Sequence, residues 1–171
     1  MTLKDKLTAQ RIYIVLGGLF ITSLVVSNLI FQKFFYWYPF DMEIFGSKLF
    51  EISVGILHYP ITFLVTDLIS EIYGKKRAND VVVVGIFASL FSLLIIQTAA
   101  IVPATSWSPV GDFSFWRVFG NSNIAVFASM LTYLFAQFVD IQIYHFWKRL
   151  TKGKHLWIRN NFSTWFSQFV D

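Results

Sequence analysis

The 171-residue sequence predicts an all-α fold, a polytopic bundle of transmembrane helices. Three observations carry this expectation. Hydrophobic residues make up 56% of the chain and charged residues only 14%, against about 25% charged in an ordinary soluble domain. The apolar residues gather in four long runs, each of about the 20 residues that cross roughly 30 Å of hydrocarbon as helix. Basic residues cluster between alternate runs, as topology signals do.

The first run covers about 13–35 and follows Lys4, Lys6 and Arg11. It is too long for the core of a signal peptide and no small-residue cleavage site follows it, so it reads as a retained helix. Residues Tyr36 to Phe50, with Pro39 and Gly46, read as a structured outer loop or a small hairpin. The second run covers about 52–73 and the third 81–102, joined through Lys75, Lys76 and Arg77. The fourth covers about 123–147 and is followed by Lys148, Arg149, Lys152, Lys154 and Arg159. A fifth begins near 161 and ends with the chain at Asp171. That piece is about 11 residues, or some 16 Å as helix, and cannot span. The expectation is therefore one transmembrane domain over 1–171, with four helices and part of a fifth, truncated at its C-terminal end.

Orientation follows from the loops. The two remaining connections hold only Lys33, Lys48 and Arg117, together with Asp41, Glu43, Glu51 and Asp112. The positive-inside rule then puts the N-terminus in the cytoplasm. Trp37, Trp107 and Trp116 mark one interface, and Trp147 and Trp157 the other.

Several function classes fall away. Cysteine is absent, which removes disulfide frameworks, thiolate metal sites and cysteine nucleophiles. A net charge of +4 in short clusters is not the basic face of a nucleic-acid binder. There is no Gly-rich phosphate loop, HExxH or GxSxG, and His58, His145 and His155 are scattered. The expectation is a protein that is not an enzyme and has no cofactor or metal.

What remains is acid inside apolar helix: Asp67, Asp140 and Asp171. A carboxylate at the bilayer centre costs roughly 2.5–3.5 kcal/mol on insertion scales and by default marks a transport or relay site. Lys33 and Arg117 fall near helix ends, away from these acids. Asp67 and Glu71 stand four residues apart and share a helix face; Glu71 also reads as an interfacial acid near Lys75, Lys76 and Arg77. Pro60 in the same run reads as a kink. Ser129, Tyr133, Gln137, Asp140 and Tyr144 form a polar stripe at helical spacing, which reads either as helix–helix glue or as a ligand-facing surface. Asn28 and Gln32 make a shorter one. Asp67 and Asp140 each lie about seven residues, roughly 10 Å, from the same end of their helices. The three aspartates are therefore expected to converge on one pocket. Gln137-Phe138-Val139-Asp140 recurs as Gln168-Phe169-Val170-Asp171, either by chance or by internal duplication.

The segment Thr66-Asp67-Leu68-Ile69-Ser70-Glu71-Ile72-Tyr73-Gly74-Lys75-Lys76 resembles the queuosine-precursor transporter family, also called the vitamin uptake transporter family. So do Gln137 to Asp140, Trp157-Ile158-Arg159-Asn160, Ser163-Thr164 and Gln168 to Asp171, with Ser27-Asn28 and Arg117. The resemblance implies six helices with both termini cytoplasmic and an inner-membrane protein of a prokaryote. It also implies import of 7-deazaguanines such as queuine and its precursors for tRNA modification. The family pattern continues past the last aspartate, where this sequence stops. From the chemistry of such a ligand, Asp140 and Asp171 are expected to accept its donor edge and Asp67 to handle a proton or cation, with Asn28, Gln137, Tyr133 and Glu71 in support. Aromatic side chains would stack on the flat bicycle. The partners implied are a small-molecule substrate and the lipid bilayer, with no nucleic acid; a homo-oligomer or an energising partner stays open. The alternative is the substrate-binding subunit of an energy-coupling-factor vitamin transporter. A third class, an intramembrane enzyme or proton relay, lacks any nucleophile–base or metal set.

Overall fold

The computed structural model describes residues 3–36, 43–44, 47–48, 51–120, 123–152, 157, 161–162 and 165–166. Asp171 lies outside these residues, as do the side chains of Ser129 and Tyr133.

Helix α1 (Leu3–Ile30) starts ten residues before the expected boundary. The stretch before Tyr13 contains no Gly or Pro, and Asp5 in the first turn suits the positive end of the helix dipole. The helix also stops five residues early. Phe34–Tyr36, aromatic and strand-prone, forms β1, which pairs antiparallel with β4 (Glu51–Ser53) in the register Phe34↔Ser53 and Tyr36↔Glu51. Between them β2 (Glu43–Ile44) pairs with β3 (Ser47–Lys48). The helical bundle therefore carries two small ribbons on its first connection.

The second apolar run is not one helix from residue 52. Ser53 Oγ accepts from Gly55 N–H at 3.2 Å and opens a 3-10 turn, Val54–His58, before α2 (Tyr59–Tyr73). Pro60 lies in the first turn of α2, where a missing N–H costs nothing. The Tyr59 N–H donates to the Ile56 carbonyl. Pro60 thus starts a helix where a kink was expected. At 15 residues α2 is roughly 22 Å long.

Lys75–Arg77 is likewise not a linker. Only Gly74 separates α2 from α3 (Lys75–Ile101), at φ 85° and ψ 168°, a conformation essentially confined to glycine. After α3, Asp112 Oδ1 accepts from Ala104 N–H at 2.8 Å and a short α4 (Asp112–Phe115) runs into a π turn, Trp116–Gly120. Helix α5 (Asn123–Leu150) closes the bundle. Of the fifth run, residues 161–162 and 165–166 are described, as helix.

Lys4–Ile30 and Lys75–Ile101 are long and apolar enough to cross a bilayer. Only 28% and 22% of their most apolar windows are buried. Phe87, Phe91, Leu94 and Ile95 face outward, as lipid-facing residues do and a soluble core does not.

Contacts fix the directions of the helices. Tyr13 OH donates to the Arg77 carbonyl at 3.2 Å, a Cβ on Gly17 would touch Val81, and one on Gly85 would meet Phe20. These pairs keep a near-constant offset of 64 or 65 residues, so α1 and α3 run parallel. Tyr73 OH donates to Ala9 O at 2.7 Å while Gly55 packs on Ser27 and Phe31; α2 is therefore antiparallel to α1. Gly17 and Gly85 let α1 and α3 approach closely, as small residues do in membrane bundles. Phe20, Leu24, Phe63, Ile69, Val82, Leu134 and Ile141 form the core.

Candidate functional site

Helix α2 turns two kinds of polar group inward. Thr62, Thr66 and Ser70, at steps of four, are 0% exposed, and Asp67 beside them is 3% exposed. Opposite, α5 presents Gln137, Asp140 and Tyr144, each 0% exposed. The part of the predicted stripe whose side chains are described is thus buried at the α2–α5 seam.

The hydrogen bonds run in register along this seam. Thr66 Oγ1 lies 3.1 Å from Gln137 Oε1, and Gln137 Nε2 donates to Thr62 Oγ1 at 3.4 Å. Thr66 also lies 3.1 Å from Thr62 O and 2.9 Å from Phe63 O. Its single proton is therefore shared between its own helix and the neighbour. Further along, Glu71 Oε2 accepts from Tyr144 OH and from Lys148 Nζ, both at 2.7 Å. Pairing rises together along both chains, so α2 and α5 are parallel.

That register locates the acids. Asp67 is one residue past Thr66 and Asp140 three past Gln137, rises of about 1.5 and 4.5 Å. The two carboxylates are offset along the bundle by only about 3 Å. Glu71 belongs to a separate cluster one turn further on. Lys148 is brought to it by α5 from 77 residues away in sequence. Lys75 instead bonds Gln142.

Residues 53–171 match the family model described as "Putative vitamin uptake transporter". The chain belongs to the vitamin uptake transporter family. It is 28% identical over 131 residues to the "Probable queuosine precursor transporter" of Bacillus subtilis (strain 168), a match covering 76% of this chain and 56% of that protein. The chain thus spans little more than half the length of this curated relative. No solved structure matches it. The vitamin uptake transporter family and this relative are named for transport, and the chain is not an enzyme.

Other expected site residues of this family member lie elsewhere. Asn28 is buried and donates to its own helix at Leu24 O, 2.9 Å. Neighbouring Ser27 packs on Gly55, which puts Asn28 level with the 3-10 turn. By the antiparallel register Asp67 is level with Gly17, so Asn28 stands roughly 16 Å along the axis from the acids. Tyr133 and Asp171 fall outside the described side chains. Sequence reasoning passed over Thr62, Thr66 and Ser70. Their signal was present as hydroxyls at i, i+4 and i+8 on the helix that carries Asp67. Among the described residues no group of three or more His, Asp or Glu side chains could hold a metal.

Proposed function

We propose that this chain belongs to a six-helix inner-membrane importer of queuosine precursors, with a cytoplasmic N-terminus. The substrates are 7-deazaguanines such as queuine and its biosynthetic precursors. One observation carries the reading: two buried carboxylates, Asp67 and Asp140, at one level of an interhelical seam in a transporter-family chain. A 7-deazaguanine presents N1–H and a 2-amino group side by side. One carboxylate accepts such a donor pair in bidentate fashion. Asp140 takes that role, with Gln137 one turn away on the same face. Asp67 serves a cationic precursor or a proton. Asp171 and Tyr133 complete the proposed set. The relative named for queuosine precursors supports the substrate class.

The test uses the full-length protein in a bacterium that neither makes nor imports these precursors. Each 7-deazaguanine is fed at low concentration and tRNA is assayed for queuosine. Restored modification that disappears with Asp140→Asn is the expected result. Restoration that survives Asp140→Asn removes the carboxylate assignment. No restoration, with the protein present in the membrane, rejects autonomous import and favours a binding subunit that needs an energising partner.

A further inference from the structure

Hydroxyls on these helices mostly satisfy themselves. Thr8 donates to Lys4 O, Ser92 to Ala88 O, Thr132 to Ala128 O and Thr151 to Trp147 O, all within 3.0 Å. Each bond needs only a side-chain rotation, which is why serine and threonine are tolerated in apolar helices. Ser27 on α1, Ser70 on α2 and Ser89 on α3 break the pattern. Each is at most 1% exposed, and none of the three Oγ atoms has a hydrogen-bond partner among the described residues. His58 Nδ1, in the 3-10 turn, is buried in the same condition. A buried polar group left unsatisfied is costly, and a native one requires an explanation.

Ser27, His58 and Ser89 sit at one height, while Ser70 lies past Asp67 on α2. Gly85 abuts Phe20 and Leu24, so Ser89, one turn on, is level with Leu24 to Asn28. Gly55 abuts Ser27 and Phe31, and Tyr73 bonds Ala9. That antiparallel register puts His58 level with the same stretch of α1. Three separate elements therefore bring unsatisfied polar atoms to one layer of the bundle, the layer that also holds Asn28. The level of Asp67, opposite Gly17, is about nine residues of α1 away, or roughly 13 Å. Thr62 and Thr66 lie between the two levels and, with Ser70 just past Asp67, recur every four residues along one side of α2.

We propose that Ser27, His58 and Ser89 line a second binding site, which takes a neutral hydrogen-bonding solute before it reaches the acids. The inference rests on the importer reading above, and the solute is the same flat heterocycle. Hydroxyls both donate and accept, and the imidazole does either with each nitrogen. This set matches the mixed donors and acceptors around a 7-deazaguanine ring, which must exchange its water for protein groups on entering the bundle. The acids further in select the donor edge; the outer set holds the ring without selecting its charge.

The experiment measures labelled queuine uptake by the full-length protein in cells, alongside thermal unfolding of the purified protein. The variants are wild type, Ser27→Ala/Ser89→Ala, and Ser92→Ala as a hydroxyl that bonds its own helix. Loss of two neutral hydrogen bonds to the solute raises KM about tenfold. Removing two unsatisfied hydroxyls raises Tm, and Ser92→Ala leaves KM unchanged. A raised Tm with unchanged KM overturns the site and leaves the importer reading standing. A lowered Tm means the hydroxyls have protein partners and also overturns it. Absence of wild-type uptake of queuine or its precursors fails the importer reading itself, and this inference with it.

Discussion

Tyr144 offers the most direct test of how α5 is held to α2. Its side chain is fully buried and its hydroxyl donates to Glu71 Oε2 at 2.7 Å. Lys148 donates to the same oxygen at the same distance, but its side chain is 30% exposed and that of Glu71 35% exposed. Solvent screens the ion pair, so Lys148→Met is expected to cost only about 0.2–1 kcal/mol. The tyrosine bond goes to a charged acceptor from a dry position and is worth roughly 1.5–3 kcal/mol. Tyr144→Phe keeps the ring and its packing and isolates that bond. The expected order is therefore Tyr144→Phe more damaging than Lys148→Met. In a Glu71→Ala background Tyr144→Phe is expected to cost less than in the wild type, since the charged acceptor is gone. Denaturant unfolding of the four variants in detergent closes the cycle. Equal costs for the two single substitutions, or an undiminished Tyr144→Phe cost without Glu71, would refute the reasoning.

Two glycines predict opposite tolerances. A Cβ at Gly55 would stand 2.7 Å from the Ser27 carbonyl oxygen and 3.1 Å from Phe31 Cα, which are backbone atoms; Gly55→Ala is expected to cost about 1–3 kcal/mol. At Gly85 the nearest atoms are the Phe20 and Leu24 side-chain ends, so Gly85→Ala should cost less, and unfolding midpoints compare the two. Gly74→Ala meets nothing within 4 Å, yet the positive φ of 85° makes it destabilising by roughly 1–3 kcal/mol. An unfolding midpoint unchanged by Gly74→Ala would contradict that backbone assignment.

The legible part of the fold was its continuous apolar helices. Helices α1 and α3 follow from hydropathy alone, although their ends do not. No Gly or Pro stands between helical Ile30 and the extended Phe34–Tyr36 to stop the helix; pairing with residues 51–53 makes that choice. Pro60 has two meanings, kink or first turn, and the Ser53 cap that selects the second acts across a 3-10 turn. The buried face of α5 was readable because Gln137, Asp140 and Tyr144 share a helical side. The partners of Glu71 were not, since Tyr144 and Lys148 lie more than 70 residues away in sequence. Asn28 entered as a companion of the acids through the family resemblance, which carries no height; the antiparallel contact of α1 with α2 gives it.

The single-residue connection at Gly74 leaves no slack between α2 and α3, whose flanking residues Tyr73 and Lys75 stand two Cα steps, at most about 7 Å, apart. Lys75 is bonded to Gln142 on α5, and Glu71, three residues before Gly74, is bonded to Tyr144 and Lys148 on the same helix. These ties close a belt around one end of the three helices. A belted bundle parts like tweezers, with the free tips moving farthest and the clasped end staying shut. Any parting of α2 from α5 would first have to break the Thr62–Gln137 and Thr66–Gln137 contacts, and would be smallest at the Glu71–Tyr144–Lys148 end.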